Sequence, residues 1–179
     1  MRIMAISRGR LLRTGFVGGI VLAISGCASS GGTTFQDDAA AYKVLDATER
    51  GLIAALAPAF LAGALPTKNG LPVRDALVAA VRGFDTALSG LPPIDVAKIR
   101  QLLGLLDNPF LKPLATGIWS SWSGASTATV TAFLNRWRYS PLVLFRGGYD
   151  VLHQLTMAAW YGQDRSWGAI GYPGPPKLS

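Results

Sequence analysis

The side chains that could do chemistry in this sequence are few and are scattered along it. The chain has one cysteine, Cys27, and one histidine, His153. Asp150 precedes His153 by three residues on a predicted helix, so the two could serve as a general acid or base, whereas a solvated helix-surface histidine is the alternative. None of the ten carboxylates forms a close pair on an apolar face, as two-carboxylate catalysis requires. We therefore expect no catalytic, metal-binding or cofactor-binding residue.

Composition narrows the class of protein further. The 179 residues are 50% apolar and 15% charged, which favours one folded domain. A single cysteine and a single histidine exclude a disulfide framework, a Cys/His zinc site, a c-type haem and a cysteine-ligated iron–sulfur cluster. The net charge is +7, but four arginines lie in residues 1–26 without an acid, and the remaining 13 bases against 10 acids give +3. This balance does not indicate nucleic-acid binding.

Residues 1–26 are typical of an export signal. A basic region, Arg2–Arg13, precedes the apolar stretch Thr14–Ser25, which is too short to span a bilayer, although a membrane anchor remains the alternative. Ile24–Cys27 resembles the lipobox of bacterial lipoproteins. The resemblance implies that the Cys27 sulfur carries diacylglycerol and that residues 1–26 are removed; a cysteine placed there by chance is the other reading.

The residues around this signal indicate where it sends the chain. Ala28 and Ser29 bring no acid after the cysteine, which resembles the sorting pattern for the outer rather than the inner membrane of a Gram-negative bacterium. Ser7–Arg13 resembles the twin-arginine motif, but Gly9 replaces the second arginine, so the general secretory route is favoured. Residues 27–35 are then a flexible tether between the lipid and a periplasm-facing domain.

Helical periodicity recurs over residues 36–162 and predicts an all-α single domain of five or six helices. The predicted helices cover residues 37–65 with a kink at Pro58, 72–88, 94–106, 110–122, 126–139 and 140–161. The helix at 72–88 is the most one-sided. Its apolar arc is Val73, Leu77, Val81, Phe84 and Leu88, and its opposite, polar side is Arg74, Asp75, Arg82 and Asp85.

Residues 163–179 predict an extended arm rich in proline, glycine and aromatic residues. Trp167, Ile170 and Tyr172 are large groups that a free tail gains nothing by exposing. The arm therefore either folds back on its own domain or lies in the groove of a partner. Trp119 with Trp122, and Trp137 with Tyr139, belong to the core or stack a sugar or base.

Near the C-terminus the sequence has Trp160-Tyr161-Gly162, then Trp167, then Ile170-Gly171-Tyr172-Pro173-Gly174-Pro175-Pro176. This ending resembles the small accessory subunits of periplasmic flavin dehydrogenases, of the sorbitol dehydrogenase and gluconate 2-dehydrogenase small-subunit type. The resemblance covers about a quarter of the chain, from Phe133 onward.

The resemblance implies a non-catalytic subunit that has no cofactor of its own and that stabilises, helps to export or anchors its partner. Its partner would be a large FAD-containing dehydrogenase of the glucose–methanol–choline (GMC) type, which oxidises an alcohol, polyol or sugar acid, and a cytochrome c subunit is a further candidate partner. The interface would then comprise Trp160, Tyr161, Trp167, Ile170, Tyr172, Pro173, Pro175 and Pro176. The alternative is a stand-alone envelope lipoprotein with a structural or small-ligand-binding role.

Overall fold

A computed structural model describes residues 35–175 of the chain. Within this part lie seven α-helices, which confirms the all-α class predicted from the sequence. They are α1 (Ala47–Phe60), α2 (Arg74–Ser89), α3 (Pro93–Asp107), α4 (Leu111–Thr116), α5 (Thr127–Arg138), α6 (Val143–Tyr161) and α7 (Asp164–Trp167). The predicted signal peptide, Cys27 and Pro176 lie outside the described residues. No helix in the described range is long and apolar enough to cross a membrane.

Helix α1 is central to the domain, because it packs against α2, α3, α5 and α6. The most extensive helix pair is α2 with α6. The largest fully buried side chains are the aromatic residues Phe84, Phe133 and Trp137. The edge of the Phe133 ring meets the Trp137 indole at 5.0 Å, and this pair ties α5 to the centre of the core.

The first helix is shorter than the sequence predicts. Helix α1 begins at Ala47 rather than at residue 37, and only a 3-10 turn, Ala39–Ala41, precedes it. The start is fixed by a capping box in which Asp46 accepts the backbone N–H of Glu49 and the Glu49 side chain accepts the N–H of Asp46. Pro58 lies in the last turn, and the helix ends two residues later.

Asp85 corrects the predicted polar face of α2. Its side chain is not on a solvated surface, because the residue is only 2% exposed. The carboxylate accepts the backbone N–H groups of Lys43, Val44 and Leu45 at 2.8, 2.9 and 2.8 Å. A short extended segment has no helical partners for these donors, so a long-range carboxylate satisfies them. Periodicity within α2 contains no signal of this contact.

The helices in the middle of the chain agree with the prediction to within a few residues, with one exception. Helices α2, α3 and α5 are observed, and Ser126 caps α5 by accepting the N–H of Thr129 at 3.1 Å. The helix predicted over 110–122 is wrong in extent, because α4 ends at Thr116. Gly117 follows in the left-handed conformation with φ 71°, which stops the helix.

The last predicted helix and the arm also need adjustment. Helix α6 begins at Val143, later than the start at residue 140 that the sequence predicts, although the Ser140 hydroxyl accepts the N–H of Leu142 at 3.1 Å. The region from residue 163 is not extended throughout. It forms α7 and a 3-10 turn, Gly168–Ile170, before the chain loses helical structure at Tyr172.

Candidate interaction surfaces

Trp160 does not belong to the surface that the sequence assigned to a partner. It is only 3% exposed and packs against Ala57, Leu61 and Ala80 in a small apolar cluster between α1, α2 and α6. The guanidinium of Arg165 covers the ring from outside, 5.9 Å from its centroid. The indole is therefore part of the core, because α6 turns this side of its surface toward α2.

The residues after α6 form an ordered structure that we call the C-terminal cap, residues 167–175. The indole Nε1 of Trp167 donates to the carbonyl of Tyr161 at 3.0 Å. The backbone N–H of Tyr172 donates to the carbonyl of Trp167 at 3.0 Å, and the two rings meet edge to face at 5.3 Å. Gly171 makes this reversal possible, since its φ of 69° disfavours a residue with a side chain.

The segment that leads into the cap is fixed to α2 and α6 by side-chain bonds to backbone carbonyls. Gln163 Nε2 donates to Ala79 at 3.1 Å, and Arg165 Nη1 donates to Asp75 at 3.2 Å. Ser166 Oγ donates to the carbonyl of Gln163 at 2.7 Å. The cap therefore starts from a defined position on the domain.

The cap divides the predicted interface residues into two groups. Trp167 and Tyr161 are half-buried, so this part of the arm packs on its own domain. The exposed members of the predicted interface are Ile170, Tyr172, Pro173 and Pro175. Of the two arrangements that the sequence left open, self-packing accounts for Trp167, while the exposed group is free for a partner.

A second apolar surface was not predicted from the sequence. Of the 13 large apolar side chains that are exposed in the described part of the chain, eight lie between Phe110 and Leu144. We call seven of these residues the junction face: Phe110, Leu114, Trp119, Tyr139, Leu142, Val143 and Leu144. Trp119 is 83% exposed, whereas the other half of its predicted pair, Trp122, is buried.

Trp137 connects the two ends of the junction face. Its Nε1 donates to the carbonyl of Ala115 in α4 at 2.9 Å. Its ring stacks on Phe145 in the first turn of α6, with 5.1 Å between centroids and 18° between planes. The exposed residues of α4 and those at the start of α6 therefore border the same buried indole, which positions both.

The junction face carries positive charge and lacks acids. Residues 108–149 contain four bases and no aspartate or glutamate. Lys112 is buried and donates to the carbonyl of Ser120, so the surface charge comes from the three arginines. Arg136 donates to the carbonyl of Thr116, Arg146 donates to that of Ser140 at 2.5 Å, and Arg138 covers the ring of Tyr139. Among the described residues none of the three forms a salt bridge.

An apolar groove continues from the junction face between α3 and α6. Its inner part has a volume of about 440 Å³ and is lined by Leu91, Ile99, Val151 and Leu155 among others. A neighbouring part of about 310 Å³ shares Ile99 and Val151 and reaches Val143 and Leu144. The groove therefore opens onto the junction face along the exposed side of α6.

His153 lies in a shallow cleft between α1, α5 and α6. Its ring stacks on Tyr149 at 5.5 Å and meets the edge of Phe60 at 5.7 Å. The structure shows no hydrogen bond from Asp150 to this histidine, so the pair considered from the sequence is not formed. Arg138 lines the same cleft. Over residues 35–175 no group of three His, Cys, Asp or Glu side chains is arranged to bind a metal ion.

A charged cluster lies elsewhere, where the N-terminal segment meets α2. Arg82 donates from Nε and Nη2 to the two carboxylate oxygens of Asp37, each at 2.7 Å, and Tyr42 Oη donates at 2.7 Å. The hydrogen bond from Arg82 holds the pKa of Asp37 well below its usual range. Burial, together with the bond to Asp37, raises the pKa of Tyr42. This cluster attaches the segment, and Arg82 also lines an open groove of about 490 Å³ between α2 and the end of α6.

The two apolar surfaces are therefore the features of this domain that point to interaction. The C-terminal cap was partly visible in the sequence as a proline, glycine and aromatic pattern. The junction face had a signal that the sequence analysis did not use, an acid-free stretch of 42 residues, 108–149, with four bases. Comparison with protein-family models, with curated proteins and with solved structures finds no match for this chain.

Proposed function

We propose that this protein is a non-catalytic accessory subunit that binds a periplasmic FAD-containing dehydrogenase of the GMC type through its C-terminal cap. The observation that carries the proposal is the cap itself, which is ordered and yet directs Ile170, Tyr172, Pro173 and Pro175 to solvent. These are the residues on which the resemblance to accessory subunits rests. FAD belongs to the partner.

The cap has the physical properties of a docking surface. Because Trp167 and Gly171 already fix its conformation, a partner does not have to order the segment, and binding loses less entropy. Tyrosine and proline present large, stiff contact areas with few rotatable bonds. An exposed isoleucine beside them provides an apolar anchor of the kind that dominates interface energies.

In this proposal the membrane attachment is the work of Cys27. The lipobox resemblance predicts two or three acyl chains on that residue after cleavage, and such a number gives stable anchoring where a single chain binds only marginally. The subunit would then hold a dehydrogenase at the periplasm-facing side of a membrane, with the outer membrane favoured over the inner.

The test is a pull-down of the tagged full chain from native membranes in mild detergent, read by visible absorbance and mass spectrometry. We expect a flavin spectrum and a GMC-type partner. The double variant Ile170→Asp/Tyr172→Asp should lose the flavoprotein. Leu71→Asp is the matched control, since Leu71 is 70% exposed and remote in sequence from the cap, in a two-stranded antiparallel hairpin formed by β1 (Thr67–Lys68) and β2 (Leu71–Pro72).

Two results would contradict the proposal. One is a wild-type preparation that is colourless and has no partner, which would favour the stand-alone envelope lipoprotein. The other is a cap variant that retains the flavoprotein at the wild-type yield. In the first case, the apolar groove of about 440 Å³ between α3 and α6 is the observation that favours a small-ligand-binding role for the stand-alone lipoprotein.

A further inference from the structure

We propose that the junction face docks on the surface of a bilayer that contains anionic lipids. This interaction goes beyond the binding of a dehydrogenase and uses different residues, because the junction face and the C-terminal cap share none. The folded domain would then contact the membrane directly, in addition to any lipid on Cys27. Two features of the described chain lead to this inference, and a third, the tether to Cys27, rests on the proposed function.

The first feature is the concentration of exposed apolar groups. Isolated apolar side chains on a surface need no explanation, but a cluster of them marks a site of interaction. Leu142, Val143 and Leu144 are consecutive and all more than half exposed, and Trp119 and Tyr139 add two aromatic rings. Tryptophan and tyrosine are the side chains that prefer the boundary between headgroups and acyl chains.

The second feature is charge. Arg136, Arg138 and Arg146 lie beside the apolar residues, and the stretch of 42 residues that contains them has no acid, with the exposed Asp107 and Asp150 at its two borders. Each basic residue near a surface of anionic lipid strengthens binding by about fivefold. Arg138 shields one face of the exposed Tyr139 ring, so cation and aromatic group would meet the headgroups together.

The third feature is the place where the chain enters the fold. Phe35, the first described residue, lines the same cleft as Ser123 and Ala125, only a few residues after Trp119. If Cys27 carries lipid, as the proposed function holds, residues 28–34 span at most about 25 Å. The domain then stays within one domain diameter of the bilayer, which keeps its surface within reach of the headgroups.

The test uses the five tryptophans as native probes. Trp122, Trp137 and Trp160 are buried and Trp167 is half-buried, whereas Trp119 is exposed, so quenching from the lipid phase reports mainly on Trp119. The full chain is reconstituted into vesicles of neutral phosphatidylcholine, or of phosphatidylcholine with 30% phosphatidylglycerol, each with and without brominated acyl chains. No dehydrogenase is present, so a failure of the proposed subunit role does not affect the result.

We expect brominated lipid to quench the fluorescence in the anionic vesicles and to quench it much less in the neutral ones. Trp119→Phe should abolish the part of the fluorescence that brominated lipid quenches, which identifies Trp119 as its source. Arg138→Gln should weaken docking by about fivefold, and 0.5 M salt should weaken it as well. Val143→Asp/Leu144→Asp should prevent docking, while Leu71→Asp should not.

The proposal is overturned if the wild-type protein and Trp119→Phe are quenched equally in the anionic vesicles. It is also overturned if neutral and anionic vesicles quench alike, because the arginines then have no role. If a protein covers the junction face instead, acrylamide would still quench Trp119 fluorescence in the presence of vesicles. That quenching would decrease only when the dehydrogenase is added. Circular dichroism of each variant confirms that the fold is retained.

Discussion

The C-terminal cap and the junction face reach solvent for opposite reasons. The cap comes from a segment whose prolines and glycines predict an extended arm, yet half of it folds back through Trp167 and the reversal at Gly171. The junction face comes from segments that read as ordinary helices, yet α4 and the first turn of α6 leave most of their large side chains exposed. Local sequence character therefore does not decide exposure.

What decides exposure in both regions is the supply of packing partners. The Trp167 indole finds a carbonyl acceptor at Tyr161 and a ring at Tyr172, so it is drawn inward. Phe133 and Phe145 fill the buried positions around Trp137. The residues that precede Phe145 in the first turn of α6 therefore have no side chains to cover them. A surface that the fold cannot cover is available for another molecule.

The largest effect should come from a pair of identical substitutions at tryptophans of opposite exposure. Trp160→Ala removes a buried indole and leaves a cavity, which should lower the free energy of unfolding by about 3–5 kcal/mol. Trp119→Ala should change it by less than about 0.5 kcal/mol, because the side chain is 83% exposed. Urea unfolding of the full chain, followed by far-UV circular dichroism, gives both values. Equal losses at the two sites would show that Trp119 is packed.

The sequence predicted the helices whose boundaries are set locally. Helix α3 starts at Pro93, as a proline in the first turn predicts, and α5 starts after the Ser126 cap. The start of α1 was missed because apolar periodicity continues upstream of the capping box at Asp46. Asp85 was placed on the polar side because its three backbone donors lie some 40 residues earlier in the chain.

The interaction surfaces were predicted only in part. Ile170 and Tyr172, which the resemblance assigned to a partner interface, are exposed, and the binding of a partner there stays a prediction. The exposure of Val143 and Leu144 depends on which side of α6 faces α2 and α5. A run of apolar residues does not contain that information, since it depends on the tertiary arrangement.

The second prediction tests whether the junction face depends on a close approach of two helices. A Cβ atom on Gly148 would lie 2.7 Å from Cζ3 of Trp137, so Gly148→Ala forces the indole or α6 to shift. We expect a loss of about 1–3 kcal/mol in the free energy of unfolding and a changed near-UV spectrum of the tryptophan.

Gly147→Ala is the adjacent control for this change. No atom lies within 4 Å of the added Cβ, and alanine is the better helix former, so stability should rise by about 0.5–1 kcal/mol. If both substitutions stabilise the protein, the contact between α5 and α6 is looser than the structure has it, and the junction face would not be held by Trp137.

The third prediction concerns the reversal of the C-terminal cap. Gly171→Ala places a side chain at a φ of 69°, which costs about 1–2 kcal/mol, while nothing lies near the added Cβ. The effect should be local: the Tyr172 amide, bonded to the Trp167 carbonyl, exchanges faster with solvent, and the global unfolding midpoint changes little. Gly168→Ala is the control, since the φ of that glycine is not positive and no atom lies within 4 Å of the added Cβ. Unchanged exchange at Tyr172 would mean that the cap does not depend on this turn.

The smallest effect is expected from acid, which should weaken the attachment of the N-terminal segment and leave the attachment of the cap unchanged. The segment is held on α2 by carboxylates, through the ion pair of Asp37 with Arg82 and the bonds of Asp85 to the N–H groups of residues 43–45, whereas the bonds that hold the cap end on backbone carbonyls. Because the pKa of Asp37 is lower in the folded protein than the ordinary 3.8, its stabilising contribution is complete above that value and is lost as the pH falls below it.

Hydrogen exchange measured between pH 5 and pH 2.5, corrected for the intrinsic pH dependence, should show protection declining around Asp37 and Tyr42 while the Tyr172 amide in the cap keeps its protection. Asp37→Asn should remove this pH dependence and start from the lower level of protection. Since the pair is at the surface and its arginine is exposed, salt should weaken it as well. A loss of protection that is equal in both segments would show that acid acts on the whole domain, and that the cap and the N-terminal segment are not attached by different kinds of contact.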